Sequence, residues 1–346
     1  MAAVTKPTSI VVRAAKADEG RRISGLWREL WDAHEAWGGY AGARDQRVYD
    51  QLATRLSDDA RVRGGQPVLG RHVHLVASTA DQGVVGQVEG WFERHGIDET
   101  TPYTCEVRSL IVSSTARTRG VGRALLDELA RVARQMSRGA PVVMAAEVLE
   151  PNPAHSFYAK VGYAPVSWTT RVSTEGGADP TPQDAFFARP ATPNDALAIA
   201  MLDPALAERR RAQGDVRFDR PRAVDATFVG ALAAHLARPV GALDQCEVVV
   251  VDRQQIVRAS ASLTVMSLDP PFLPARRGLL GRFAVDPAVD AAPLVGPLVR
   301  LGKRLALLRG AATLELTDLD PPGAPLHRGA SESGATPWSR IVERWA

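Results

Sequence analysis

Residues 117–126 read "RTRGVGRALL", three arginines and two glycines placed directly before an apolar, helix-forming run. Glycine lets the backbone come close to a ligand and turn successive N–H groups toward it. A helix N-terminus adds unpaired N–H donors and partial positive charge. Arg117, Thr118, Arg119, Gly120, Val121, Gly122, Arg123 and Ala124 therefore make a candidate anion cradle, suited to a phosphate-containing ligand. No Lys-Ser/Thr follows the second glycine, so this is not a nucleoside-triphosphate P-loop. The three-glycine spacing and the later acidic residue of a dinucleotide site are also missing. Taken alone, the loop also fits an ordinary strand–helix connection with solvated arginines.

The elements around the cradle follow from hydrophobic period. "TCEVRSLIVSS" (104–114) is a strand and "RALLDELARVARQMSRG" (123–139) an amphipathic helix stopped by glycine. Upstream lie a strand at 9–15 and a helix at 17–37 carrying Ile23, Leu26 and Leu30, then a polar segment with a second helix. Two strands at 72–78 and 84–94 flank the turn "TADQG". Downstream come a strand at 141–148, a short helix and glycine turn at 153–166, and a strand through "VSWTTRVS". "TEGGADPTPQDA" (174–185) is a linker by composition. The same order of elements then recurs, with Arg13 matching Arg189 and Val112 matching Val285, an offset of about 175 residues that implies two copies of one domain. The expected domains are 1–173 and 186–346, joined by 174–185.

The motifs resemble the GNAT N-acetyltransferases. Their Arg/Gln-x-x-Gly-x-Gly/Ala signature stands here as Arg117, Gly120 and Gly122 after Leu110, Ile111 and Val112. Their later Asn, Ala, Tyr and Gly-Phe/Tyr pattern stands as Asn152, Ala154, Tyr158, Gly162 and Tyr163, with Asn152 one residue closer than is usual. The resemblance implies an α+β fold with an α/β mixed sheet: two tandem GNAT domains, each a splayed mixed β-sheet flanked by helices. It implies acetyl-CoA as co-substrate and no metal. The pantetheine arm would pair with the backbone of Leu110, Ile111 and Val112, and the pyrophosphate would sit on the amides from Arg119 to Ala124. Tyr158 would be the acid that protonates the departing sulfur and would also line the cofactor. The Val112 N–H would polarise the thioester carbonyl. Glu106 is the candidate base; a solvated partner of Arg108 is the other reading of the same residue. Strand alternation puts Glu106, Arg108 and Leu110 on one face.

For the remaining residues the bland reading stands beside the functional one. Trp27 and Trp31 share a helical face with Leu30 and are read as core, while Asp32, His34 and Glu35 are candidates for holding a cationic or polar acceptor. His72 and His74 alternate on one strand face without further ligands, so no metal site is read there. The second copy keeps "AVDP" at Ala284–Pro287, but Asp290, Pro293 and Val295 stand where the cradle has Arg117, Gly120 and Gly122. Proline has no N–H to give and aspartate repels a pyrophosphate. The C-terminal copy is therefore expected to have lost catalysis and ordinary CoA binding.

Composition sets the outer limits. At 45% hydrophobic and 23% charged, the 346-residue chain is globular and long enough for two cores. A net charge of +3 gives no case for a nucleic-acid partner. No targeting layout or long apolar run suggests a membrane partner, and the two cysteines, Cys105 and Cys246, fit buried reduced thiols in a cytoplasmic protein. The expectation is a monomer or small homo-oligomer that acetylates the amine of a small molecule, in antibiotic or other secondary metabolism, where tandem members of the family occur. The alternative is an acyl-CoA-binding sensor or assembly protein without turnover.

Overall fold

The computed structural model describes residues 9–94, 102–176, 185–215, 224–238, 244–268 and 275–346. Most of the expected linker lies outside the described residues. The chain divides into two compact units. One holds residues up to Ala164 together with Val342–Ala346; the other runs from Pro165 to Ile341.

The first unit opens with β1 (Val11–Ala14), α1 (Gly20–Ala36) and α2 (Gln46–Arg63). The strands β2 (Val68–Leu69), β3 (His72–Thr79), β4 (Gly83–Arg94) and β5 (Tyr103–Val112) follow, then α3 (Val121–Met136), β6 (Val142–Leu149) and α4 (His155–Lys160). In the sheet, β3 lies between β1 and β4, β4 pairs β5, and all these contacts are antiparallel. β5 and β6 are parallel, as a strand–helix–strand crossover requires. α1 and α2 bury Ile23, Leu26, Leu52 and Leu56 against one face of the sheet, with Val76, Val84 and Ile111. α3 buries Val121, Leu125, Leu126 and Leu129 in the cluster that holds Leu75, Val88, Cys105 and Met144. Both cysteines are buried and free, and burial pushes the Cys105 thiol up to about 12.

The second unit contains β7 (Ala164–Ser173, from Pro165 onward), β8 (Phe186–Pro190), α5 (Ala196–Ala212), α6 (Ala226–Leu236), β9 (Gln245–Asp252) and β10 (Val257–Ser267). It continues with β11 (Arg276–Val285), α7 (Ala292–Leu308), β12 (Ala311–Leu319), α8 (Pro325–Glu332) and β13 (Thr336–Trp345, as far as Ile341). β8, β9, β10 and β11 pair antiparallel in turn; β11 and β12 are parallel, and β12 pairs β7 antiparallel. α6, α8 and β13 are elements that the sequence patterns did not reveal.

The internal repeat extends to individual hydrogen bonds. Arg13 Nη2 meets Glu19 Oε1 at 2.5 Å, and the Lys16 N–H donates to Glu19 at 2.8 Å. At the matching positions, Arg189 Nη1 meets Asp195 at 2.7 Å and the Thr192 N–H donates to Asp195 at 2.7 Å. In each copy the carboxylate ties the end of the first strand to the start of the first helix. α1 and α5 have the same 17-residue length and fall at the same offset.

The Arg189 guanidinium holds the Asp195 carboxyl down to about 2, from an ordinary value of 3.8. A depressed carboxylate pKa stabilises the fold above the unfolded value, and that stability is lost as pH falls through the folded value. Asp195→Asn is expected to cost about 2 kcal/mol at pH 7. The gap between variant and wild type should close between pH 4 and pH 2, as urea titrations at several pH values would measure.

Candidate active site

The parallel pairing of β5 with β6 begins at Tyr103 and Val142 and stops at Val107 and Ala146. β5 continues beside β4 as far as Val112 and Gly86. Arg108–Val112 are therefore left without a parallel partner on the β6 side. Backbone N–H and C=O groups in such a stretch need another partner, and Leu110, Ile111 and Val112 lie in it.

The cradle follows. A 3-10 turn at Ser114–Ala116 carries the chain off the strand to Gly120, which N-caps α3. Thr118 and Gly120 are both left-handed, at φ 65° and 84°. Gly120 adopts this conformation without strain, whereas Thr118 does so at a cost. Arg117, Thr118, Arg119, Gly120 and Arg123 are exposed, and Val121, Gly122 and half-buried Ala124 begin the packed side of α3. The Arg117 Nε donates to the Val112 carbonyl at 3.3 Å, so the arginine folds back over the open strand end. Gly122 is needed for packing: a Cβ there would stand 3.1 Å from the Phe157 ring of α4.

Tyr158, on α4, is buried 7% exposed in the α3 cluster, edge-on to Tyr163 with ring centroids 5.2 Å apart. Burial pushes its phenol well above the ordinary value, so it keeps its proton at neutral pH. The Asn152 side-chain oxygen accepts from the Ala154 N–H at 2.9 Å and fixes the turn into α4.

A register shift in β5 corrects the expected face of Glu106. Ser109 pairs Glu89 and Val107 pairs Gly90, so Arg108 is an extra residue in a bulge. Leu110 and Val112 then lie with Val107 on the α3 side, and Ile111 lies on the α1 side. Glu106 alternates with Val107 and so shares the α1 side with Ile111, not the face of Leu110. Its carboxylate is half exposed and pairs with Arg108 at 3.0 Å; Arg108 in turn lies over the Trp91 ring at 5.0 Å. The same sheet face carries His72 and His74. Arg63 Nη2 lies 2.7 Å from His72 Nδ1, and His74 Nε2 lies 3.0 Å from Gln87 Oε1. Among the described residues no group of three or more His, Cys, Asp or Glu side chains is placed to hold a metal.

On α1, Trp31 is core and stacks on Trp27, with centroids 5.4 Å apart. Burial holds His34 down to about 4, and Asp32 and Glu35 both pair with Arg44 at the surface. Sequence reasoning passed over Glu29. Its carboxylate accepts from the Ser114 N–H at 3.0 Å and lies 3.3 Å from the Ser113 hydroxyl, tying α1 to the end of β5. A charged residue three positions after buried Leu26, on the apolar stripe, was the available signal.

The second unit repeats the splay and fills it. The parallel pairing of β11 with β12 stops at Leu280 and Leu316, and a register shift again follows. Here Arg209 Nη2 donates to the Phe283 carbonyl at 2.6 Å, and Arg210 Nη1 donates to the Asp318 and Leu319 carbonyls at 3.3 and 3.4 Å. By the shared offset of α1 and α5, these arginines stand where the first copy has Ala33 and His34. Leu294–Leu298 lie in the first turns of α7, and Leu294, Val295 and Leu298 are fully buried. The helix start is capped by the Asp290 carboxylate, which accepts from the Ala292 N–H at 3.2 Å.

The first unit thus sets a splayed mixed sheet beside a strand–Arg/Gly loop–helix unit. The chain matches the model of the acetyltransferase (GNAT) family over residues 27–163. It is similar over its whole length to a GCN5-related N-acetyltransferase from Sphaerobacter thermophilus: 14% identity, 99% of this chain and 97% of that one, TM-score 0.57. It is also similar to a GCN5-related glucosamine N-acetyltransferase region of a fungal multi-domain GH3 beta-N-acetylglucosaminidase. That match has 14% identity and a TM-score of 0.53, covering 98% of this chain but 38% of the other. A tandem GNAT protein from the clavulanic acid biosynthesis pathway is more loosely similar, at 17% identity, 98% of both chains and a TM-score of 0.49. Among curated proteins none matches the sequence. Among the described residues no helix is long and apolar enough to cross a membrane.

Native mass spectrometry with acetyl-CoA is expected to give one adduct per chain. Gly120→Glu, which strains the left-handed position and puts a carboxylate in the cradle, should abolish it. Two adducts, or one that survives the substitution, would place binding elsewhere.

Proposed function

We propose that the first unit transfers an acetyl group from acetyl-CoA to the amine of a small molecule, directly and within a ternary complex, in secondary metabolism such as antibiotic biosynthesis. The observation that carries this reading is the juxtaposition of an unpaired strand end at Leu110–Val112, the exposed cradle from Arg117 to Ala124, and a buried, protonated Tyr158. Acetyl-CoA supplies the activated thioester. The Leu110–Val112 backbone holds its arm, the amides from Arg119 to Ala124 hold its pyrophosphate, and Asn152 orders the turn that presents Tyr158.

Each proton has a carrier. Glu106 takes the proton that the amine loses as its nitrogen bonds to the carbonyl carbon. The Val112 N–H donates to the carbonyl oxygen as charge builds on it. The carbon–sulfur bond breaks, and Tyr158 gives its proton to the departing sulfur. The ion pair with Arg108 holds Glu106 at the sheet face next to Trp91, ready for a polar acceptor.

The second reading is an acyl-CoA binder without turnover, and the engagement of Glu106 by Arg108 is what favours it. Release of CoA thiol from acetyl-CoA, followed over a panel of amino acids, amino sugars and polyamines, separates the two. Turnover with at least one amine is expected. Tyr158→Phe and Glu106→Gln should each lower kcat by about 10- to 100-fold with acetyl-CoA affinity within twofold of wild type. Tight binding with no turnover on any amine would favour the binder.

A further inference from the structure

Residues Val342–Ala346 lie against the short helix that carries Tyr158. Val342 is buried in the same apolar cluster as Tyr158, Val161 and Tyr163. The Ala346 N–H donates to the Val142 carbonyl at 3.0 Å, which fixes this segment against β6. Between them Arg344 is largely buried, with its side chain 16% exposed. Its Nη1 donates to the Val161 carbonyl at 2.8 Å, and its Nη2 meets the Asp127 carboxylate of α3 at 3.2 Å. Its guanidinium carbon stands 5.0 Å from the centre of the Tyr163 ring.

Two of these contacts are the groups that hold Tyr158. Val161 is the C-cap of α4, where helix carbonyls have no partner inside the helix. Tyr163 is the ring against which Tyr158 rests edge-on. A six-residue helix does not hold itself in water, so the direction of its side chains is set by what packs on it. An arginine suits this place: its planar fork donates to a carbonyl and a carboxylate at once while its face covers a ring.

We infer that Arg344 is a positioning residue for Tyr158, and that Val342–Ala346 complete the catalytic unit from a segment distant in sequence. The inference rests on the proton-donor role proposed for Tyr158. It gives Val342–Ala346 a part in catalysis: a phenol must stand within hydrogen-bond reach of the departing sulfur, and a displacement of about 1 Å costs as much as 100-fold in rate.

The test is a double-mutant cycle on the full chain, with acetyl-CoA and the best amine of the panel. Arg344→Met is expected to lower kcat about 10-fold with the acetyl-CoA Kd within twofold of wild type. In a Tyr158→Phe background the same substitution should change nothing further, because Arg344 acts through the phenol. Equal losses in both backgrounds, or an unchanged kcat, would overturn the inference. If the Met variant no longer binds acetyl-CoA, Arg344→Lys replaces it, keeping the charge near Asp127 without the fork, and the same outcomes decide. If Tyr158→Phe alone is as active as wild type, the proton-donor role falls, and this inference falls with it.

Discussion

Everything at the site depends on where a strand loses its neighbour. β5 and β6 run parallel only as far as Val107 and Ala146, while β4 keeps β5 extended to Val112. The result is a length of ordered strand whose backbone groups lack a β6 partner on one side, where Arg117 reaches the Val112 carbonyl. In water such groups are satisfied cheaply; in a cleft they call for a partner. The bulge at Arg108 belongs to the same device. It turns Leu110 and Val112 onto the α3 side and leaves Glu106 on the α1 side.

The second unit shows the same constraint met in another way. Its β11 and β12 part at the equivalent point, and Arg209 and Arg210 of α5 donate to carbonyls on both arms. Arg210 is itself fully buried and pairs with Asp215 at 2.6 Å. A buried guanidinium is costly to separate from its carboxylate. Where the first copy has small Ala33 and an uncharged, half-buried His34, the Arg117 Nε reaches the Val112 carbonyl on one arm. Two copies of one architecture thus diverge at two adjacent helix positions and at the Asp290 and Pro293 that start α7.

Much of this was legible in the sequence because local chemistry dictates it. The cradle announces itself by glycines before an amphipathic run, and Gly120 is left-handed at φ 84° where the motif places it. The strand–helix order of both copies follows from period. The repeat is visible in Arg13 and Arg189 because each has a carboxylate six residues on. What was not legible depends on partners distant in sequence. The face of Glu106 was misassigned because a bulge is fixed by β4, not by the residues of β5. Glu29 and Arg344 act through distant partners, Ser114 and Val161, 85 and 183 residues away. α8 and β13 follow a Pro/Gly/Ser-rich run whose composition reads as loop, and packing of Leu326 and Val342 overrides it.

The most direct test of the account is amide hydrogen exchange with and without acetyl-CoA. The account predicts that the ligand slows exchange across residues 110–124 of the first unit and leaves residues 281–298 of the second unchanged. Protection confined to 281–298, or absent from 110–124, would contradict it and move the acyl-CoA site to the unit whose splay is filled by its own arginines.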